Sequence, residues 1–298
     1  MEKNFKSGFA AIIGMPNVGK STLLNEIAGQ KVAIISEKPQ TTRNKILAIH
    51  TTDEEQIIFT DTPGIHKPAN KLGKFMIGTV NSAMNDTDVI LFVVDATKGI
   101  QEIEREIALS LEKTGVPSIL LLNKVDLVKK EELLPKIADY SSMYDFEAIV
   151  PISAKTGDGI DILFNTIRDY IPEGPMLYDE DLVTDQPERQ IASEIIREKM
   201  LYLLQQEVPH GIAIEISKMQ EMDHITKIYA TIYCEKAAHK GIIIGKNGAM
   251  LKEIGTLARR DIEKMLDKKV YLELWVKIKE DWRNSDFLLK NFGYKADE

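Results

Sequence analysis

The chain has 298 residues, of which 44% are hydrophobic and 28% charged, and this composition excludes collagenous, disordered and low-complexity proteins. Its length is about twice the usual ~150 residues of one domain, so we expect two domains. A net charge of −8 argues against indiscriminate nucleic-acid binding. The segment from Cys234 onward nevertheless has 14 basic and 11 acidic residues, so it carries +3 and the rest carries −11. This asymmetry favours a C-terminal part that faces a polyanion.

The apolar runs are short. Residues 89–94 and 118–122 are among the longest, and both fall far below the ~20 residues of a membrane-spanning helix. Residues 9–14 are too few for a secretory signal and lead into a polar glycine loop. The single cysteine, Cys234, cannot form an internal disulfide, which fits a reducing compartment. We therefore expect a cytoplasmic protein.

Apolar runs alternate with stretches of helical period between residues 8 and 171. Uniformly apolar strands are typical of a mostly parallel sheet covered by helices on both faces. Residues 45–52 are expected to form a hairpin with residues 56–60, so one edge strand should be antiparallel. The pattern predicts an α/β domain with a six-stranded sheet. The five apolar runs that predict strands are residues 9–14, 57–60, 89–95, 118–122 and 148–152.

A helix-stopping cluster at residues 172–175 is followed by an acidic, proline-bearing stretch. We therefore divide the chain into a first domain at 1–174, a linker at 175–188 and a second domain at 189–298. The second domain is expected to be small and α+β, with the order α-β-β-α-α-β. Its predicted strands are 212–217, 226–234 and 270–278, and its later helices are expected to begin at Ala249 and near Arg259.

Residues 14–21 read Gly-Met-Pro-Asn-Val-Gly-Lys-Ser, between a predicted strand and a predicted helix. This is the context of a phosphate-binding loop, in which backbone N–H groups surround phosphates. Lys20 is expected to pair with the β and γ oxygens, and Ser21 to hold Mg²⁺. The candidate nucleotide-binding residues of the loop are Gly14, Asn17, Val18, Gly19, Lys20, Ser21 and Thr22.

Asp61-Thr62-Pro63-Gly64 ends the next predicted strand. This short motif is uninformative alone, and its place at a strand end beside the phosphate loop carries the argument. Asp61 is expected to bind a water on Mg²⁺, and the Gly64 N–H to contact a γ-phosphate oxygen.

Asn123-Lys124-Val125-Asp126 follows the strand that ends at Leu122 and predicts the choice of base. The Asp126 carboxylate can accept from guanine N1–H and N2, whereas adenine presents a lone pair at N1. Lys124 is expected to lie along the base, Asn123 to brace the loop, and a backbone N–H of Ser153, Ala154 or Lys155 to reach guanine O6. A metabolic P-loop kinase, the alternative, would not need residues 123–126.

These four motifs, together with residues 39–43 as the fifth, resemble the translation-factor-related branch of small GTPases. The resemblance implies GTP hydrolysis and makes Thr42 a ligand of Mg²⁺ with Ser21 and Asp61, although the neighbouring Thr41 is an alternative. Ile65 stands where related enzymes carry a water-orienting glutamine, so intrinsic hydrolysis should be slow. The resemblance makes Lys20, Thr42 and Gly64 catalytic, together with Asn17 if it is a ligand of K⁺ rather than a residue that caps the turn.

Residues 241–248 form a G-x-x-G loop at the start of a predicted helix. In this context the loop resembles a type II KH domain, in which backbone N–H groups and a helix N-terminus receive RNA phosphates. Ile243 and Ile244 are expected to flank a groove for bases. Tyr229, Tyr233 and Trp275 are expected in the core rather than as stacking platforms. The candidate RNA-binding residues are Gly241, Ile243, Ile244, Gly245, Lys246, Asn247, Gly248, Arg259 and Arg260.

A GTPase joined to a KH domain resembles the Era GTPases of bacteria over nearly the whole chain. The stretches 39–43, 61–66 and 271–276 also look like that family. The resemblance implies a GTP- and GDP-binding factor that uses Mg²⁺, binds the 3′ end of 16S ribosomal RNA and assists assembly of the 30S subunit. It also implies peripheral association with the inner membrane, and we expect a monomer. The alternative is a GTPase whose second domain binds protein as a scaffold.

Overall fold

The computed structural model describes residues 5–205 and 208–294. Its contacts divide the chain into two units. Unit 1 comprises residues 1–33, 42–67 and 76–185, and unit 2 comprises residues 34–41, 68–75 and 186–298. The division at 185–186 falls within the predicted linker. No helix in the described ranges is both long and apolar enough to cross a membrane.

Unit 1 contains the predicted six-stranded sheet, with the strand order β2-β3-β1-β4-β5-β6. Its pairs are parallel except β2 with β3, so the predicted antiparallel edge hairpin is confirmed. The strands are β1 (Lys6–Gly14), β2 (Ile46–Thr51), β3 (Glu55–Asp61), β4 (Val89–Asp95), β5 (Ser118–Asn123) and β6 (Ala148–Pro151).

Helices cover both faces of this sheet, as the apolar strands predict. Leu91 and Val93 of β4 enter one core with α1 and α5, whereas Phe92 and Val94 enter another with α2, α3 and α4. This alternation follows from the two-residue period of a strand. The helices are α1 (Lys20–Ala28), α2 (Lys71–Asn85), α3 (Glu102–Thr114), α4 (Lys130–Met143) and α5 (Ile160–Ile167).

Unit 2 has the predicted order α-β-β-α-α-β around a sheet of order β7-β8-β9. The strands β7 and β8 are antiparallel, and β8 and β9 are parallel. The core lies between one face of this sheet and the helices α6 and α8. The elements are α6 (Glu188–Leu203), β7 (Ile212–Glu221), β8 (Ile225–Cys234), α7 (Ala237–Ile244), α8 (Ala249–Leu266), β9 (Lys269–Ile278) and α9 (Asp286–Asn291).

The two central helices of unit 2 are divided elsewhere than predicted. The expected helix start near Arg259 is wrong, because α8 runs unbroken through that residue. Ala258 and Ile262 are both fully buried, so the stretch keeps the apolar spacing of one amphipathic helix. The break lies instead at the glycine loop, where Gly245 and Gly248 have φ of 72° and 79°.

Candidate nucleotide and RNA sites

The phosphate loop joins β1 to α1, as the sequence predicts. Gly19 ends the loop with φ of 102°, and a Cβ there would lie 2.3 Å from Asn123 Nδ2. Only glycine therefore suits this position. Lys20 is buried, and its Nζ donates to the carbonyls of Gly14 at 3.1 Å and Met15 at 2.9 Å. Its ammonium is thus held against a loop whose N–H groups can receive an anion.

Three oxygen-bearing side chains meet beside this loop. Ser21 Oγ donates to Asp61 Oδ2 at 2.7 Å and lies 2.9 Å from Thr42 Oγ1. Thr42 Oγ1 in turn donates to Asp61 Oδ2 at 3.2 Å. The other carboxylate oxygen, Asp61 Oδ1, is buried without a hydrogen-bond partner among the described residues. An unpaired acceptor beside two hydroxyls fits a hard divalent cation such as Mg²⁺.

Burial disfavours the charged forms of both Lys20 and Asp61. Burial lowers the pKa of Lys20 to about 8, although the Asp61 carboxylate acts in the opposite direction. Burial raises the pKa of Asp61, against the lowering effects of Lys20, Ser21 and Thr42. A polyphosphate with a divalent cation brings the charges that would compensate both penalties.

The two threonines at the end of residues 39–43 have different partners. Thr42 is buried and bonds to Asp61 and Ser21, whereas the Thr41 hydroxyl donates to the carbonyl of Lys38 at 2.6 Å. The Thr41 carbonyl accepts from the fully buried guanidinium of Arg197 within unit 2. This geometry favours Thr42 over Thr41 as the ligand for Mg²⁺.

Residues 123–126 are held to the phosphate loop and to the last strand motif. Asn123 Nδ2 donates to the carbonyl of Val18 at 2.7 Å, and its Oδ1 accepts from the Ala154 N–H at 2.9 Å. Asp126 is exposed, and its Oδ1 accepts from Ser153 Oγ at 2.7 Å. Asn123 therefore braces three segments, and Asp126 presents a carboxylate where a base can be read.

Asp95 is a site residue that the sequence analysis missed. Its Oδ2 accepts from Lys124 Nζ at 2.7 Å, and its Oδ1 accepts from the N–H and hydroxyl of Thr97. Burial alone would raise the pKa of Asp95, but the hydrogen bonds from Lys124 and Thr97 lower it below its ordinary value. Lys124 Nζ also donates to the Asn17 carbonyl at 2.8 Å, so Asp95 orients the lysine stem expected to lie along the base.

The loop after Gly64 offers no water-orienting group at Ile65. The backbone N–H of Ile65 donates to the Gly14 carbonyl at 3.1 Å, which brings the segment after Asp61 against the phosphate loop. The Ile65 side chain packs on the core beneath α2 and α3. Lys155, at the end of the last motif, is exposed.

The G-x-x-G loop lies between α7 and α8, with Lys246 and Asn247 exposed at its tip. A Cβ at Gly248 would meet no atom within 4 Å, so the approach to the N-terminus of α8 is open on this side. Arg259 and Arg260 are exposed on α8, about 17 Å along the helix from the loop. A backbone of several nucleotides could contact both.

Two of the predicted RNA-binding residues have other positions. Ile243 does not flank a groove for bases, because its side chain is fully buried in the core of unit 2. Gly241 lies inside α7 rather than in the loop, since that helix continues to Ile244. Ile244 is half-buried against the same core, so it remains the apolar candidate beside the loop.

The expected burial of the three aromatic residues is right only in part. Tyr233 is buried and contacts Phe292, and Tyr229 is half-buried. Trp275 is 59% exposed, so its assignment to the core is wrong. In β9 it points away from α8, whereas its neighbour Val276 points into the core.

The fold and this arrangement of motifs define a P-loop GTPase joined to a KH domain. The family model for 50S ribosome-binding GTPase matches residues 9–124, and the model for the KH domain matches residues 207–283. GTPase Era of Ruminiclostridium cellulolyticum is 54% identical over 298 residues, which is 99% of both chains. GTPase Era of Clostridioides difficile is 52% identical over 97% of this chain and 99% of that relative. The chain belongs to the Era family of GTPases, and GTP hydrolysis is its reaction.

Two solved structures are similar over nearly the whole chain. One is Era in complex with MgGDPNP and nucleotides 1506–1542 of 16S ribosomal RNA, and the other is an Aquifex aeolicus Era variant bound to GDP and AlF4⁻. Each has a TM-score of 0.94 and 42% identity, and covers 97% of this chain and 99% of its own.

Proposed function

We propose that this GTPase binds the 3′ end of 16S ribosomal RNA through its KH unit and assists assembly of the 30S ribosomal subunit. The observation that carries the proposal is the Era structure that holds MgGDPNP together with RNA nucleotides 1506–1542 and is 42% identical over 97% of this chain. The open glycine loop and the exposed Lys246, Arg259 and Arg260 support it, because they can receive RNA phosphates.

The RNA that travels with the natively purified protein tests this function. We expect 16S RNA enriched in its 3′ end, and depletion of the protein should accumulate immature 30S particles in a sucrose gradient. Sequencing of the bound RNA is the measurement, with the isolated residues 1–174 as the comparison if they prove folded. Absence of RNA, with a specific protein copurifying instead, would favour the scaffold alternative.

In the proposed reaction the protein positions groups around the phosphates. Mg²⁺ would be held by Ser21, Thr42 and Asp61, where it supplies positive charge to neutralise the phosphate oxygens. Lys20 pairs with the β and γ oxygens, and the Gly64 N–H contacts the γ-phosphate. Because Ile65 carries no polar group, the attacking water must be oriented from elsewhere, and intrinsic turnover is slow.

Replacement of the two threonines separates the candidate metal ligands. Thr42→Ala removes a hydroxyl in contact with Asp61 and Ser21, so we expect Mg²⁺-dependent hydrolysis to fall by about tenfold or more. Thr41→Ala is the matched control, since its hydroxyl donates to the Lys38 carbonyl rather than to Asp61. Single-turnover rates across a Mg²⁺ titration are the measurement. A higher Mg²⁺ requirement in the Thr41 variant alone would make Thr41 the ligand.

Potassium is proposed as the cation that assists hydrolysis, with Asn17 as its ligand. Asn17 lies exposed in the phosphate loop with φ of 66°, close to where charge develops on the phosphates. We expect turnover in KCl to exceed that in NaCl by about tenfold at equal ionic strength, and Asn17→Ala to erase the difference. Asn17→Asp keeps a side-chain oxygen and should retain part of it. Identical rates in both salts would leave Asn17 as a residue that caps the turn.

A further inference from the structure

The outer face of the unit 2 sheet exposes aromatic rings on the side away from α6 and α8. Trp275 and Tyr271 of β9 are 59% and 45% exposed. Tyr229 of β8 lies beside Tyr271, with ring centroids 6.0 Å apart. Tyr233, at the other end of β8, is covered by the ring of Phe292. Exposed aromatic rings grouped on one sheet face are typical of an interaction surface.

The two exposed rings are held in fixed orientations by one carboxylate. Glu273 accepts from the Tyr271 hydroxyl at 2.9 Å and from Trp275 Nε1 at 2.8 Å. Their Cα atoms lie four positions, or about 13 Å, apart along the strand, while the polar ends of both rings reach the same carboxylate. A ligand would meet two separate flat surfaces that are already ordered, which lowers the entropic cost of stacking.

The charge of this face is positive in a protein whose net charge is −8. The strand register places four lysines and two glutamates on the same face as the rings. Both carboxylates already accept hydrogen bonds from aromatic donors, since Glu215 accepts from the Tyr233 hydroxyl at 2.7 Å. A hydrogen bond from a neutral donor leaves each carboxylate charged, so four lysines and two glutamates give the face a net charge of +2. The charged residues of the face are Lys218, Lys227, Lys269, Lys277, Glu215 and Glu273.

We propose that this aromatic face, defined by Tyr229, Tyr271 and Trp275, is a second binding surface for single-stranded RNA. Bases stack on the Trp275 and Tyr271 rings, and the surrounding lysines contact phosphates. This second surface extends the proposed function, and the choice of RNA as its ligand rests on that function. The helix α8, which begins at the glycine loop, packs on the opposite face of the sheet, so the two surfaces are distinct. A second copy of the chain is disfavoured, because the four lysines would face one another.

Fluorescence of the full chain tests the aromatic face directly. Trp275 is exposed and Trp282 is fully buried, so a ligand on this face should quench only the long-wavelength emission. We expect a twelve-nucleotide uridine oligomer to do so in a Gly248→Asp background, in which the glycine loop is blocked. Trp275→Ala should weaken this binding about tenfold, measured by anisotropy of a labelled oligomer. Trp275→Phe keeps a stacking ring and should retain most of the affinity.

The controls decide between occupants. Phe287→Ala removes a 74% exposed ring from α9 that is not one of the three rings defining the face, and should leave affinity unchanged. Equal affinity of Trp275→Ala and its parent would overturn the proposal. Equal quenching by duplex RNA or polyglutamate would also overturn it, as would Trp275-dependent self-association in sedimentation. If Gly248→Asp kept full RNA affinity while Trp275→Ala lost it, the loop assignment would fail and this proposal would stand.

Discussion

Replacement of Asp126 by asparagine is expected to lower the affinity for GTP by about a hundredfold or more and to favour xanthosine triphosphate. In the proposed pocket the Asp126 carboxylate accepts from guanine N1–H and N2, and an amide would place a donor against the N2 amine. Burying such a mismatch costs a few kcal/mol, and each 1.4 kcal/mol is about tenfold in affinity. Xanthine carries an oxygen at C2 in place of the amine, so the same amide can donate to it.

Competition with a fluorescent GDP analogue measures the affinities for GTP, XTP and ATP. Ser153→Ala is the matched control, because it removes the 2.7 Å hydrogen bond to Asp126 and leaves the carboxylate in place. That variant should bind GTP about tenfold more weakly or less, without a change in the order of preference among the three nucleotides. Equal loss of all three nucleotides in Asp126→Asn, or tight binding of ATP by the parent, would contradict the assignment.

The nucleotide motifs could be predicted because each follows an apolar strand of a parallel sheet. Such strands end at one edge, so Ser21, Asp61 and Asn123 converge there whatever the connecting helices do. The expected role of each motif residue then follows from the chemistry of its side chain at that edge. The sequence does not single out Asp95, because its partner Lys124 is 29 residues away. The available signal for a site residue is a carboxylate that ends a fully buried strand at this edge.

The second unit was harder to predict because its signals come from tertiary packing. The run from Tyr271 to Val276 contains apolar or aromatic residues at nearly every position, so its two-residue period does not identify the exposed side. Only the packing of α8 against Val270 and Val276 shows that Trp275 points outward. The prediction for Ile243 is wrong for the same reason. An apolar residue beside the glycine loop can either pack in the core beneath the loop or line a groove next to it, and the sequence does not distinguish the two.

Substitution of Gly248 by aspartate is expected to lower the affinity for 3′-end 16S RNA by about a hundredfold while GTP hydrolysis hardly changes. Gly248 lies at the N-terminus of α8 with φ of 79°, a conformation that Asp and Asn tolerate better than most residues. A Cβ there meets open space, so no protein atom has to move. The new carboxylate occupies the positive end of the helix, where RNA phosphate approaches in the proposed complex, and like charges brought together cost several kcal/mol.

Gly248→Asn is the control that isolates this charge, because asparagine has nearly the same shape and the same tolerance for positive φ. The aspartate variant should unfold at the same temperature as the asparagine variant or a higher one, since both carry the same strain at positive φ and a carboxylate at a helix N-terminus is stabilising. Lys246→Ala removes one exposed cation, so it should weaken RNA binding less and flatten the salt dependence by about one phosphate contact. Affinities for single-stranded 3′-end RNA at two salt concentrations distinguish these effects. If Gly248→Asp and Gly248→Asn lost affinity equally, shape rather than charge would explain the loss, and full affinity in both would place the RNA site elsewhere.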